Sequence, residues 1–199
     1  MNRKYLILLT IGLLCLINNR TIAQENKFLF SYSSSQGVSD LKYLSLNGFQ
    51  LEWQYHFKKL PISAGLSVGY HISGNKEVIE IPVLYGVNNQ QMKNVKSIPI
   101  LAHIKYSFLK SKYLRPYIGL GLGLYNQSHG IIIHTLDYPG QTITKEFSEH
   151  RFGIAPELGI TSDLFPNVGA FISLKYNYMQ SELERLNYNN VSFNFGIIF

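Results

Sequence analysis

The chain ends on a run of strictly alternating side chains. From Val191 to the terminal Phe199 every second residue is apolar, and the residues between them as far as Gly196 are small or polar. Successive side chains of a β-strand point to opposite faces of the sheet, so this run predicts a strand with one wholly apolar face. Such a strand fits between lipid and a polar interior, and about 9 to 11 residues suffice to cross a bilayer.

The same alternation recurs along the chain and predicts eight strands in all, each with one apolar face that carries no charge. The strands are expected at residues 27–33, 48–57, 62–72, 97–108, 117–125, 151–161, 168–178 and 189–199. An even number of antiparallel strands closes into a barrel without an exposed edge, as a sheet inside a bilayer requires. The predicted fold is therefore all-β, an eight-stranded antiparallel up-and-down transmembrane β-barrel.

The connections between the predicted strands alternate in length. Short turns are expected at residues 58–61, 109–115 and 163–167, and longer loops at 34–45, 73–96, 126–150 and 179–188. Short periplasmic turns and long external loops are typical of outer-membrane barrels, and this arrangement leaves both chain ends in the periplasm. The turn signals Asn88-Asn89 and Asp137-Tyr138-Pro139-Gly140 predict that the second and third loops are projecting hairpins.

A soluble lipocalin-like barrel is the alternative fold, since it also has eight strands but points its apolar face inward. Its outer face would meet water and would be expected to carry many charged residues. In this chain the other face is rich in Gly, Ser and Asn, which suit a narrow lumen. Aromatic residues also gather toward both predicted strand ends, for example Trp53, Phe57 and Tyr106 at one end and Tyr70 and Tyr176 at the other. Two aromatic girdles favour the membrane barrel.

The N-terminus has the three-part pattern of a secretory signal peptide, with Arg3 and Lys4, an apolar run from Tyr5 to Ile17, and Thr21-Ile22-Ala23. We expect cleavage after Ala23, which divides the chain into a signal peptide at 1–23 and a barrel domain at 24–199. The single cysteine lies inside the signal peptide, so the mature chain has no thiol chemistry. Its small excess of basic residues does not indicate a nucleic-acid partner.

Several charged residues fall on predicted lumen faces at middle depth. An eight-stranded barrel is just wide enough for side chains to fill, and a buried charge needs a partner. Glu52 and Glu157 lie on opposite walls, within reach of Lys105 between them. We therefore expect a polar network that plugs the lumen, formed by Glu52, His103, Lys105, Arg151, Glu157 and Lys175. A gated path for ions or small solutes through the same residues is the alternative.

The run Ser97-Ile98-Pro99-Ile100-Leu101-Ala102-His103, followed by Leu114-Arg115-Pro116-Tyr117-Ile118-Gly119-Leu120-Gly121, resembles the central hairpin of a family of small outer-membrane barrels. This is the porin family, or PorT-like barrels, of Bacteroidetes, and it is more distantly similar to the barrels of OmpA, OmpX and OmpW. The resemblance implies a monomeric barrel in the cell outer membrane, without catalytic residues. It also implies that Phe199 acts as the C-terminal signal for the barrel-assembly machinery.

Enzymatic activity is a further alternative, because some small outer-membrane barrels modify lipid A. Ser128 and His129, with Glu146 or Glu149, supply the residue types of a hydrolase site. Neighbouring residues of a strand point to opposite faces, so Ser128 and His129 could pair only in an irregular loop. The six histidines have no metal-ligand spacing. We expect no enzyme activity, metal or cofactor.

The long loops remain the best functional candidates. Exposed strands in residues 73–96 and 126–150 could offer an edge to which a partner protein adds a strand. The alternative is that their apolar residues pack loop against loop. The sequence thus predicts a structural, adhesive or partner-binding role, with outer-membrane lipid and lipopolysaccharide as surroundings.

Overall fold

The described part of the chain consists of antiparallel strands. The computed structural model describes residues 26–38, 44–57, 60–73, 79–81, 90–109, 111, 113–134, 142–180 and 188–199, so the predicted signal peptide lies outside it. The strands are β1 (Asn26–Gly37), β2 (Ser45–His56), β3 (Ile62–Ser73), β4 (Ile79–Ile81), β5 (Gln90–Ser107), β6 (Arg115–His134), β7 (Thr142–Phe165), β8 (Val168–Met179) and β9 (Asn190–Ile198). Among these residues no helix is both long and apolar enough to span a membrane.

Eight of these strands close into a barrel. The sheet order runs β3-β2-β1-β9-β8-β7-β6-β5-β4, and a further pairing of β3 with β5 completes the ring. The short β4 pairs only with β5, outside the ring. The two ends of the described chain meet where β1 pairs with β9, and the backbone amides of Phe28 and Phe199 each donate to the carbonyl of the other. The predicted eight-stranded antiparallel barrel is confirmed.

Alternation along each strand separates a lipid-facing surface from the lumen. On β2, Phe49 and Leu51 are 55% and 58% exposed, whereas Gln50 and Glu52 between them are 7% and 5% exposed. The apolar faces therefore point outward, where a bilayer removes them from water. This orientation is the reverse of a lipocalin-like barrel, so the soluble alternative is wrong.

Three strands continue well past their neighbours at the external end. The predicted loops 73–96 and 126–150 are largely strand, because β5 begins at Gln90, β6 continues to His134 and β7 begins at Thr142. The predicted hairpins are confirmed by the pairs Ile79↔Met92 and His134↔Thr142, while residues 82–89 and 135–141 lie outside the described chain. The predicted strands were too short because pairing between backbones needs no apolar face once the strand has left the bilayer.

Candidate functional site

Four buried charges meet at the centre of the lumen. Lys105 Nζ, from β5, lies 2.8 Å from Glu52 Oε1 of β2 and 3.6 Å from Glu157 Oε1 of β7. Lys175 Nζ, from β8, lies 3.7 Å from Glu157 Oε2. At most 5% of any of these side chains is exposed. Two cations face two carboxylates, so the cluster is electrically balanced, as burial of charge requires.

Neutral side chains add hydrogen bonds to this central cluster, in which Glu157 Oε2 alone among the carboxylate oxygens has no hydrogen-bond partner within the described residues. Gln54 Nε2 donates to Glu52 Oε1 at 2.6 Å, and the Tyr117 hydroxyl donates to Glu157 Oε1 at 2.7 Å. Lys175 Nζ also lies 3.4 Å from Gln50 Oε1. Sequence reasoning did not include these three partners, although Gln50, Gln54 and Tyr117 all fall on lumen faces. The hydrogen bonds hold each carboxylate in one orientation toward its lysine.

Two of the six predicted network residues make their hydrogen bonds outside the central cluster. His103 Nε2 lies 2.6 Å from the Ser67 hydroxyl, which joins β5 to β3. Arg151 sits farther toward the external end, where its Nε donates to Glu149 Oε2 at 2.9 Å and its guanidinium lies 4.1 Å from the centre of the Tyr188 ring. The structure thus brings Glu52, Lys105, Glu157 and Lys175 together and places Arg151 in a second cluster. No sequence signal distinguishes Tyr188, which lies in the predicted loop 179–188.

Apolar layers lie on both sides of the buried charges. Along β8, Phe171, Lys175 and Met179 follow one another from the periplasmic to the external end, so apolar side chains lie on either side of the charge. The periplasmic layer consists of Leu29, Phe171 and Ile198. The external layer consists of Leu44, Leu46, Val95, Leu101, Tyr125, Ala155, Met179 and Tyr188. Both layers oppose passage of ions, because an ion loses its hydration among apolar groups.

A small polar cavity lies between the central cluster and the external layer. Its volume is about 20 Å³, which is room for about one water molecule. The lining includes Lys175, His71, Asn194, Ser97 and Asn177. Two buried atoms in it, His71 Nε2 and Asn194 Oδ1, have no hydrogen-bond partner among the described residues. A water held there would satisfy such groups, and the cavity is too small for larger solutes.

The residue types of a hydrolase site do not come together on β6. Ser128 pairs with Ser148 and His129 with Phe147 in regular antiparallel register, so the side chains of Ser128 and His129 point to opposite faces. The His129 ring is buried and stacks on Phe147, with ring centres 5.7 Å apart. The irregular structure that the enzyme alternative requires is therefore not present at these positions.

Beyond the bilayer, β7 has a described partner strand on one side only. Its pairing with β6 continues to Thr142, whereas its pairing with β8 ends at the Gly153↔Met179 pair. In the part of the chain that the structure describes, no strand pairs with the other edge of residues 142–150. Since antiparallel pairing leaves hydrogen-bonding groups pointing outward on such an edge, β7 presents a template for a further strand.

Residues 26–199 match the family model described as the outer membrane protein beta-barrel domain. Among solved structures, the chain is similar to Neisserial surface protein A, with 15% identity, a TM-score of 0.55 and coverage of 87% of this chain and 95% of that chain. The chain is also similar to outer membrane protein OprG from Pseudomonas aeruginosa, with 11% identity, a TM-score of 0.55 and coverage of 87% of this chain and 94% of that chain. A third similar structure is Ail, the attachment invasion locus protein of Yersinia pestis, with 16% identity, a TM-score of 0.50 and coverage of 88% of this chain and 97% of that chain. No curated protein matches the chain.

Proposed function

The chain belongs to the outer membrane protein beta-barrel domain family, and on that premise we propose that it is a non-enzymatic binding protein of the outer membrane. Its role is structural or adhesive, and the partner binds at the external extension of β5, β6 and β7. The open edge of β7 is the observation that supports this proposal most directly. A strand from a partner can add to such an edge through main-chain hydrogen bonds.

The direction of the backbone groups on β7 identifies the residues that would pair. The carbonyl of Phe152 accepts a hydrogen bond from the amide of Gln180, so Phe152 directs its main-chain groups away from β6. Alternate residues of a strand direct these groups to the same side. In the uninterrupted register of β7, the amides and carbonyls of His150, Ser148 and Glu146 therefore point to the open edge.

Replacement of a single residue tests this mode of binding. Ser148→Pro removes the outward amide without removing a hydrogen bond to β6, and proline is tolerated on edge strands. Ser148→Ala is the matched control, because it removes the hydroxyl and keeps the amide. Each variant would be cross-linked in intact outer membranes, solubilised and purified, and the partners captured with it would be identified by mass spectrometry. The affinity of each variant for the recovered partner would then be measured.

We expect the wild type and Ser148→Ala to bind the same partner with the same affinity. The affinity of Ser148→Pro for this partner should be at least tenfold lower. All variants should show the heat-dependent gel mobility of a folded barrel. Equal capture by Ser148→Pro would exclude strand addition at β7. A partner that is lost only on deletion of residues 77–92 would instead place binding on the β4 side of the sheet.

The non-enzymatic part of the proposal has its own test. Lipid A from cells with and without the chain would be compared by mass spectrometry, and identical acylation and phosphorylation are expected. A change in lipid A that depends on the wild-type chain and disappears in His129→Gln would contradict the proposal. The opposite orientations of Ser128 and His129 on β6 support the expected result.

Targeting and assembly complete the proposal. We propose that residues 1–23 are a cleaved signal peptide, that Phe199 is read by the barrel-assembly machinery, and that the monomer is of the PorT-like Bacteroidetes type, in contact with lipopolysaccharide. Determination of the N-terminal residue of the mature protein tests the cleavage, with Gln24 expected. Phe199→Ala should reduce the amount of folded barrel in the outer membrane, and unchanged insertion would contradict that role.

A further inference from the structure

Polar side chains line the periplasmic opening of the lumen. The set, here called the periplasmic mouth, is Lys27 of β1, His56 of β2, Arg115 of β6 and Asp163 of β7. Side chains two residues apart on a strand share a face, so Lys27 points inward with the buried Leu29. The other three belong to the inward rows of their strands in the same way. These groups therefore face the lumen and not the surrounding lipid.

The periplasmic layer closes the lumen behind the periplasmic mouth. Leu29, which belongs to that layer, comes two residues after Lys27 on β1. The side chains of Lys27 and Arg115 are each 25% exposed, and that of Asp163 is 32% exposed. Their charged groups thus lie between the apolar layer and the periplasm, in the orientation that is typical of outer-membrane barrels.

Two cations share one carboxylate in the periplasmic mouth. Lys27 Nζ lies 4.0 Å from Asp163 Oδ1, and Arg115 donates to the same oxygen. Elsewhere among the lumen side chains that the structure describes, the charges balance: the central cluster has two of each sign, and Arg151 pairs with Glu149. The periplasmic mouth therefore carries the surplus positive charge of the described lumen. Cations that are mostly buried favour an anion close by.

Hydrogen-bond donors of the periplasmic mouth remain for a ligand. Among the described residues the Arg115 guanidinium donates only through Nη2, to Asp163, and its planar fork suits a carboxylate or a phosphate. The buried Nδ1 atom of His56 has no hydrogen-bond partner within the described chain. His56 is a diagonal neighbour of Lys27, because Lys27 pairs with Gln54 two residues earlier on β2. A protonated Nδ1 can donate to an oxyanion beside the two cations.

We propose that the periplasmic mouth binds a soluble ligand through a carboxylate or phosphate group. Lys27 and Arg115 contact the oxygen atoms of this group, and the His56 imidazole donates to it. The bound anion neutralises the surplus charge, while the periplasmic layer keeps it from passing deeper into the lumen. The inference depends on the membrane orientation of the family and is independent of the partner at the external sheet.

Inorganic phosphate is the probe that tests this site. The folded mature chain, labelled with nitrogen-15, would be placed in phosphatidylcholine nanodiscs and titrated with phosphate in exchange for chloride at constant ionic strength. We expect the backbone amide signals of Lys27, Arg115 and Asp163 to shift together and to saturate at millimolar phosphate. Amides at the external end should not shift.

Two variants change the charge of the periplasmic mouth in opposite directions. Lys27→Gln leaves Arg115 paired with Asp163 and removes the surplus charge, so the affinity for phosphate should fall by roughly fivefold or more. Asp163→Asn leaves both cations uncompensated, so the affinity should rise by a similar factor. Lys96→Gln is the matched control, because it removes an exposed cation near the external end of β5 and should leave the affinity unchanged.

The absence of a saturable shift in the wild type would overturn the proposal, and so would equal affinities of the wild type and Lys27→Gln. A second arm replaces part of the phosphatidylcholine with phosphatidylglycerol and omits phosphate. Shifts of the same three amides in that arm would assign the site to lipid headgroups and would overturn a soluble ligand. Heat-dependent gel mobility establishes that each variant is folded. Ser148→Pro should bind phosphate like the wild type, whatever it does to partner capture.

Discussion

Lys105 Nζ lies 2.8 Å from Glu52 Oε1 and thereby joins β5 to β2, two strands that are not neighbours in the sheet. Lys105→Met removes the cation that lies between Glu52 and Glu157 and leaves two buried carboxylates without it. Loss of one partner of a buried ion pair costs about 3–5 kcal/mol. We expect the free energy of unfolding, measured by urea titration in lipid vesicles, to fall by about that amount.

A double variant separates charge from packing in this first prediction. Lys105→Met combined with Glu52→Gln removes one charge of each sign, so its stability should recover much of the loss. Equal stabilities of the single and the double variant would mean that the charges do not interact.

The lumen should not conduct ions at rest. Apolar layers lie on either side of the central cluster, and the cavity between the central cluster and the external layer has room for about one water molecule. Purified wild-type protein in a planar bilayer is expected to give no discrete conductance steps. Steps that appear in the wild type and are lost in Glu52→Gln or Lys105→Met would show instead that the central cluster lines an ion path.

The external end should lose stability in acid through His129. This residue lies beyond the membrane-spanning part of β6, since the outward residues after Leu124 are the polar Asn126 and Ser128. Burial lowers the pKa of the His129 imidazole; nearby Glu149 raises this pKa and Arg151 lowers it further. The unfolded state therefore binds a proton more readily, so stability present above about pH 6.5 is lost as the pH falls toward the folded-state pKa.

Hydrogen exchange measures this acid effect. Amides of β6 and β7 at the external end should exchange faster, after correction for intrinsic rates, as the pH falls from about 8 to about 5. His129→Gln should flatten this dependence, whereas His150→Gln, at an exposed position on β7, should keep it. Identical profiles for the wild type and His129→Gln would rule out His129 as the responsible group.

Gly123 should not tolerate a side chain. A Cβ atom at this position would overlap the carbonyl oxygen of Ile100 on the adjacent strand, which is backbone and cannot rotate away. Gly123→Ala is expected to destabilise the barrel by about 1–3 kcal/mol through overpacking. At Gly130 the nearest atom would be the flexible Lys93 Cγ, at 3.3 Å, so Gly130→Ala is the control. Urea unfolding in vesicles compares the two, and similar losses would show that backbone contact at Gly123 is not the cause.

Much of the barrel could be predicted from alternation, because a strand between lipid and lumen must change polarity at every residue. The outward direction of Phe49 and Leu51 followed from that rule. A strand beyond the bilayer does not need to alternate in polarity, and there the expected loops continue as strands in β6 and β7. The lumen was predicted only in part: Arg151 lies apart from the central cluster and contacts Tyr188, a residue that no pattern distinguished.

The sequence by itself determined the strand number, the face of each strand and the set of charges that had to enter the lumen, since each depends on the polarity of residues two apart. The tertiary structure decided which of those charges meet. Lys105 reaches Glu52 and Glu157, each of them two strands away, because strand tilt and register bring these side chains to one depth. Register also ended the pairing of β7 with β8 at the Gly153↔Met179 pair, and among the described residues no strand pairs with that edge of β7 beyond it.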